Sequence, residues 1–331
     1  MMTLPLLSAL FTAFALALYV MLDGFDLGVG ALLLAEKEET LRDRMVNSIM
    51  PTWDGNETWL IMAGVALLAG FPVAYGILLP AFYLPLIMML LALGLRGVSF
   101  EFRYQVERGR LAWDIAFSLG SVIAALMQGV VVGGLIQGVA IDAEQFNGSV
   151  LDVFSPFCLL VALSVLLGYV VLGAAWLHLK ATDALRLFAE RILRLATPIF
   201  VSVAGAVVIA AAIVQPRIAT VWAADYPFLV PIAVVFAACA LMLVRATGGN
   251  SDGRPFALAL VMFASGVLGL GIAVFPDIVP FRLSLWDAAS APLSHVFLLS
   301  GAVVVTPVVL AYSAFAYRVF RGKTPVEGWD S

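Results

Sequence analysis

Six of the ionisable side chains in the first third of the sequence stand within or beside long apolar runs. Asp23 and Asp26 interrupt the run Met21-Leu-Asp-Gly-Phe-Asp-Leu-Gly-Val-Gly30, and their three-residue spacing puts both carboxylates on one helical face. Asp54 and Glu57 lie in Pro51-Thr-Trp-Asp-Gly-Asn-Glu-Thr-Trp59, and Arg96 and Glu101 in Leu95-Arg-Gly-Val-Ser-Phe-Glu-Phe-Arg103. A charge inside a membrane helix costs about 2.5–3.5 kcal/mol on insertion scales, so each of these groups needs a partner or a task. Two kinds of chemistry suit them. Carboxylates close to one membrane face can take up and relay protons, and a lone guanidinium among acids forms a buried charge pair that fixes helix packing. A third role is open to Asp54 and Glu57: an N-cap with a carboxylate three residues on satisfies orphan amides and suits the helix dipole. Capping does not exclude proton carriage.

The elements that must hold these groups follow from composition. Of 331 residues, 63% are hydrophobic and 12% charged, against roughly 25% charged in soluble domains. Apolar runs predict nine membrane helices, at 5–35, 55–71, 76–98, 113–139, 154–180, 196–214, 226–245, 256–275 and 292–319. The second is short enough to be re-entrant instead. The expected architecture is an all-α integral membrane protein forming a single polytopic domain over 1–331. Of the 18 Lys and Arg, all but Arg96, Arg217 and Arg282 fall in the loops after the first, third, fifth and seventh helices or in the tail. Cations are retained in the cytoplasm, so the N-terminus is expected outside and the C-terminus cytoplasmic. With about 1.5 Å of rise per residue, Asp23 then lies toward the cytoplasmic end of the first helix. All six ionisable groups are expected near the cytoplasmic ends of three consecutive helices.

Other chemistries find little support. Cys158 and Cys239 sit in separate apolar runs and suit packing better than a disulfide or metal pair. His178 and His295 belong to opposite membrane faces, which cannot supply axial ligands for several haems; both are expected as polar interfacial residues, and no metal site is expected. No P-loop or dinucleotide fingerprint occurs, and a net charge of −4 without a basic tract excludes nucleic acid as a partner. The first cation is Lys37, so no signal-peptide charge precedes the apolar core and the N-terminal helix is expected to be retained. Gly24 with Gly28, Gly129 with Gly133 and Gly134 with Gly138 are spaced for close helix packing. Trp286 and Asp287 are expected to anchor and cap the last helix.

Four blocks carry a family resemblance: Leu22-Asp-Gly-Phe-Asp-Leu-Gly-Val-Gly30, Trp53-Asp-Gly-Asn-Glu-Thr-Trp59, Arg96-Gly-Val-Ser-Phe-Glu-Phe-Arg103 and Leu285-Trp-Asp-Ala288. In this order they resemble subunit II of the cytochrome bd-type quinol oxidases, and the short loops are similar to the cyanide-insensitive branch. Leu22 stands where some relatives have a polar residue, and Glu57 where some have glutamine. The resemblance implies a haem-free, multi-pass subunit of the bacterial inner membrane. Its partner, subunit I, would hold two b-type haems and haem d, oxidise ubiquinol and reduce oxygen to water. Subunit II would stabilise subunit I and contribute to cytoplasmic proton delivery, a role onto which Asp26, Asp54, Arg96 and Glu101 map. Some members add a small accessory transmembrane subunit or a structural quinone, for which no residues are assigned; membrane lipid is a further partner.

Two other readings compete. A proton-coupled secondary transporter would need buried carboxylates at the bilayer midplane and broken, repeated helices, whereas the charges here crowd one face. A purely structural partner would use the acids only as caps and salt bridges.

Overall fold

The computed structural model describes residues 3–106, 108–249 and 252–325. The chain is almost wholly helical: α1 (Thr3–Leu32), α2 (Glu39–Ile49), α3 (Trp53–Gly70), α4 (Pro72–Ala81), α5 (Tyr83–Gln105), α6 (Arg110–Gln137), α7 (Pro156–Lys180), α8 (Asp183–Val214), α9 (Pro216–Ala246), α10 (Arg254–Val274) and α11 (Pro292–Val319). Two small antiparallel hairpins complete it, β1 (Ile141–Asp142) with β2 (Gln145–Phe146) and β3 (Asp277–Val279) with β4 (Leu283–Ser284).

Among the described residues, eight helices are long and apolar enough to cross a membrane. The ninth crossing is α3. Its Asn56 bonds Asp26 on α1, while Gly70, at its other end, accepts from the Ser290 amide and lies against Ser8 near the start of α1. The helix therefore runs antiparallel to α1 from the level of Asp26 to that of Ser8 and is not re-entrant; its 18 residues span about 27 Å at 1.5 Å per residue. One end of the bundle gathers Arg42, Arg44, Lys180, Arg186 and Lys323, and the other holds Ser8, His295 and both hairpins. The cationic end is the cytoplasmic one by the distribution of positive charge.

Several boundaries differ from the sequence reading. The predicted third helix is split at Phe82 into α4 and α5, because Pro85 has no amide to donate back across the break. Helix α4 lies beside β2 and β3 at the outer end. Helix α8 begins at Asp183, extending the sixth predicted helix into the cytoplasm, and α9 is kinked at Asp225, just before the predicted start at 226. The last difference is α2, which falls between the first and second predicted helices; it buries Met45, Val46 and Ile49 in the core and turns Arg42 and Asp43 toward its neighbours.

Helix α1 lies at the centre, packed on α3, α6, α7, α10 and α11. Its contact with α7 is backbone to backbone: a Cβ on Gly28 would collide with the Tyr169 carbonyl, and one on Gly173 with Gly28 itself. Small residues permit this approach, which brings the polar stretch of α1 into the middle of the protein. The Gly129 and Gly133 pair does the same for α6 against Ala162 and Cys158 of α7. Gly138 instead ends α6 at φ +86°, a conformation that favours glycine. Cys158 and Cys239 are free and buried on different helices. The Trp286 ring meets Phe275 edge-on. Asp287 does not cap α11, whose N-cap position is Ala291; it accepts from Ser284 Oγ and closes the turn after β4.

Helix α11 has few buried residues and is pinned at its ends. At the outer end His295 Nδ1 lies 2.8 Å from Ser8 Oγ. At the inner end Lys180 Nζ donates to the Phe320 carbonyl at 2.6 Å, Lys323 Nζ to the Leu179 carbonyl at 2.9 Å, and the Thr324 amide to the Lys180 carbonyl at 2.8 Å. Lys323 also pairs with Asp252 at 3.0 Å, and its hydrogen bond holds the Asp252 carboxyl below the usual carboxylate range. A depressed carboxylate stabilises the folded contact above its unfolded pKa, and that contribution is lost as pH falls through the folded value.

Two outcomes follow from this packing. Gly28→Val should force α1 from α7 and destabilise the protein by about 1–3 kcal/mol or more, read as a lower thermal midpoint in detergent; an unchanged midpoint would show that the helices can part without loss. Protection of the C-terminal segment from protease should hold at neutral pH and fall on acidification below the carboxylate range. Asp252→Asn should remove the pH dependence and leave the segment equally exposed throughout.

Candidate functional site

The cytoplasmic halves of α1, α3 and α5 meet around one guanidinium. Arg96 is fully buried; its Nη1 lies 2.7 Å from Asp23 Oδ1, a charge contact outside linear hydrogen-bond geometry, and its Nη2 donates to Glu57 Oε2 at 3.1 Å. Its Cζ stands 5.9 Å from the Trp53 ring centroid. Asp23 and Asp26 are both fully buried, as three-residue spacing on one face of a central helix requires. Glu57, in the second turn of α3, keeps 27% of its side chain exposed.

Asp26 has a different neighbour. Asn56 Nδ2 donates to Asp26 Oδ2 at 2.7 Å, and Asn56 Oδ1 accepts from Tyr317 Oη on α11 at 2.9 Å. Asp26 Oδ1 is buried without a hydrogen-bond partner. On the far side of Asp23, one helical turn back, lies Tyr19, which joins a buried polar chain: Tyr169 Oη donates to Gln128 Oε1 at 2.6 Å and Gln128 Nε2 donates to Tyr19 Oη at 2.7 Å.

The structure thus brings together Asp23, Asp26, Glu57 and Arg96 of the six residues singled out. Asp54 and Glu101 are exposed. Asp54 lies in the first turn of α3 but is not its N-cap, which is Thr52 and makes no side-chain cap bond; its carboxylate still suits the helix dipole. Glu101 is not a partner of Arg96. Five residues along a helix turn the side chain about 140° away, and Arg96 takes its acids from α1 and α3 instead.

A second ionic group lies seven residues further along α5, outside the six residues of the sequence reading. Arg103 Nε donates to Asp114 Oδ1 at 2.6 Å and Nη2 to Asp43 Oδ1 at 2.6 Å, while Arg42 Nε reaches Asp114 Oδ2 at 2.8 Å. The one signal available was Asp114 itself, an acid within the apolar start of a membrane helix. Asn56 lay inside a quoted block, but nothing in its type pointed to Asp26. Gln128, Tyr19 and Tyr169 are single polar residues on three helices, and no spacing links them.

The histidines stand at opposite ends of the bundle and are buried in the protein, His178 and His295 being 0% and 1% exposed. His178 Nδ1 lies 3.3 Å from the Asp252 carbonyl and Nε2 3.4 Å from Glu190. Among the described residues no group of three His, Cys, Asp or Glu is placed to hold a metal ion.

Residues 4–320 match the family of cytochrome bd terminal oxidase subunit II. The chain belongs to that family. It is 31% identical to a probable cytochrome oxidase subunit 2 of Haemophilus influenzae, with 91% of this chain and 90% of the relative covered. It is 29% identical to the cytochrome bd-I ubiquinol oxidase subunit 2 of Escherichia coli, with 93% and 92% covered. The fold is shared with a chain of the bd oxidase structure from Geobacillus thermodenitrificans, at a TM-score of 0.78 and 16% identity over 96% of this chain and 98% of that one. The protein is a multi-pass component of the bacterial cytoplasmic membrane and one subunit of a haem-containing terminal oxidase that includes a subunit I.

Replacing Arg96 tests the central cluster. Arg96→Met leaves two or three carboxylates in a dry site without their cation and should cost about 3–5 kcal/mol of stability, measured as a loss of purified complex and of its thermal midpoint. A complex as heat-stable as the parent would show that the acids do not depend on this guanidinium.

Proposed function

We propose that the chain is the haem-free subunit II of a cytochrome bd-type ubiquinol oxidase, which stabilises the haem-bearing subunit I and delivers cytoplasmic protons for the reduction of oxygen to water. The observation that carries the reading is the placement of Asp23, Asp26 and Glu57 around Arg96 at the cytoplasmic end of the bundle, with Glu57 partly exposed at the surface of the chain. Ionisable groups buried in a membrane protein mark ion or proton pathways, and a terminal oxidase consumes protons as it reduces oxygen. A transporter would need such groups around a midplane cavity. Asp54, exposed one turn before Glu57, belongs to the same uptake surface; Glu101, also exposed, would act only from the outer edge of it.

The donor set of this chain does not fit haem ligation. His178 has its two nitrogens beside Asp252 and Glu190, and His295, with Nδ1 on Ser8, stands alone at the opposite end of the bundle. In this reading two b-type haems and haem d reside in subunit I, with quinol and oxygen as substrates of the complex. A small accessory subunit and a structural quinone are compatible with the fold, and the chain acts as one membrane domain.

The first test is an optical difference spectrum of the complex recovered through a tag on this chain. Signals of b- and d-type haem with quinol-dependent oxygen uptake are expected, whereas a colourless single chain after gentle extraction would sink the oxidase reading. For proton delivery, Asp26→Asn should slow turnover roughly 100-fold or more, the loss typical of a missing proton-transferring group, and Asp54→Asn should slow it less. Haem content should be unchanged in both. Full turnover in Asp26→Asn would leave only a structural role for the acids.

A further inference from the structure

Three arginines are buried among the described residues, and two of them have their counter-charges. Arg96 and Arg103 are 0% and 1% exposed, and each lies within 3.1 Å of two carboxylates. Arg44, on α2, is 6% exposed and forms no ion pair among the described residues. Its Nη2 donates to a neutral group, Thr182 Oγ1, at 2.8 Å; its Nε is buried without a partner, and its Nη1 makes no hydrogen bond among the described residues. The acids nearest in sequence do not serve it. Asp43 is engaged by Arg103 and Arg110, and Asp183, beside Thr182, is exposed. A guanidinium stays charged at any accessible pH, and a buried charge without a partner is costly enough to require one.

The residue that Arg44 touches is the N-cap of α8, a helix of 32 residues. A threonine at this position ordinarily accepts from the amides of the first turn. Thr182 makes no such bond, and its hydroxyl oxygen is turned to Arg44 instead. The first backbone bond of the helix runs from the Arg186 amide to the Thr182 carbonyl at 3.3 Å, so among the described residues the amides of Asp183, Ala184 and Leu185 have no acceptor. Free amides and the positive end of the helix dipole favour an anion, and the same end carries a buried guanidinium with unused donors. The two sets of donors need one ligand. A phosphate group has oxygens enough to meet a guanidinium edge and backbone amides together, and the arginine fork matches its geometry. Helix α2 lies at the cytoplasmic membrane face, where phospholipid head groups and soluble phosphates are both within reach.

We propose that Arg44 and the N-terminus of α8 form a binding site for a phosphate group, carried by a membrane phospholipid or free in solution, and that this ligand is the missing counter-charge of Arg44. Its consequence is structural reach. Helix α2 is joined to α8 through Arg44 and Thr182, to α7 by the Trp176 Nε1 bond to the Ser48 carbonyl at 3.3 Å, and to α5 through Asp43 and Arg103. A phosphate seated between α2 and α8 steadies the cytoplasmic ends of all four helices. The site stands apart from the acids around Arg96 and does not depend on proton delivery.

The experiment compares the purified complex with its Arg44→Gln and Arg44→Lys variants. Each is stripped of lipid in a neutral detergent and titrated with short-chain phosphatidylglycerol or with inorganic phosphate at constant ionic strength, with bound phosphorus and the thermal midpoint as readouts. The parent should bind one phosphate group more per chain than Arg44→Gln, and its midpoint should rise by about 2–4 °C while that of Arg44→Gln stays level. Arg44→Lys keeps the charge and loses the fork, and should bind roughly tenfold more weakly, the worth of one charge-assisted hydrogen bond. A response to phosphatidylglycerol alone assigns the site to a lipid head group, and a response to inorganic phosphate alone or to both assigns it to phosphate from solution as well. Equal binding and equal shifts in parent and Arg44→Gln, with either probe, would overturn the site and leave Arg44 a structural tie to Thr182. Should Arg44→Gln yield no complex, Arg44→Lys decides: weaker binding upholds the site, and affinity equal to the parent's overturns it.

Discussion

The burial of one guanidinium among carboxylates is the constraint on which the cytoplasmic half of this protein depends. Arg96 has no exposed surface, and Asp23 on α1 and Glu57 on α3 approach it to 2.7 and 3.1 Å. In a medium of low dielectric none of these charges is tolerable without the others, so three helices must be placed together or not at all. Apolar contacts alone would let membrane helices slide, since lipid tails are as apolar as the side chains they replace. The charge cluster sets their register.

Helix α5 uses the same device twice. Arg96 and Arg103 are seven residues apart, about two turns, and so point to one side of the helix. The first enters the socket made by α1 and α3, and the second the socket made by Asp43 of α2 and Asp114 of α6. Helix α2 thereby acquires a purpose: lying at the membrane face, it carries Arg42 and Asp43 to the end of α5 and the beginning of α6. On its other side, the stretch of α1 that carries the acids lies backbone to backbone on α7, where Gly28 and Gly173 let the two helices touch.

Helix α11 is held by a different logic. Its middle is largely unpacked, and its position rests on polar contacts at the two ends, Ser8 with His295 outside and the Lys180, Lys323 and Thr324 contacts inside. Those inner contacts also fix Tyr317, which completes the hydrogen-bonded line through Asn56 to Asp26. A helix pinned at its ends can present a side chain to the site while leaving its apolar length to lipid or to a neighbouring subunit.

The sequence by itself determined the membrane class, the helix periods, the cytoplasmic end and the family, because each rests on local composition: apolar runs of spanning length, cations confined to alternate loops, and short motifs whose residues are contiguous. It also marked Asp23, Asp26, Glu57 and Arg96, since a charge in an apolar helix is conspicuous wherever it lies. Which acid meets Arg96 was decided only by tertiary structure. Proximity along the chain favoured Glu101, whereas helical rotation turned it away and close packing of α1 and α3 brought Asp23 and Glu57 in. The same holds for Asp114 with Arg103, for Gln128 between two tyrosines and for Asn56 between Asp26 and Tyr317. Their partners are between 11 and 261 residues away, and a single polar side chain carries no local trace of the helix it will face.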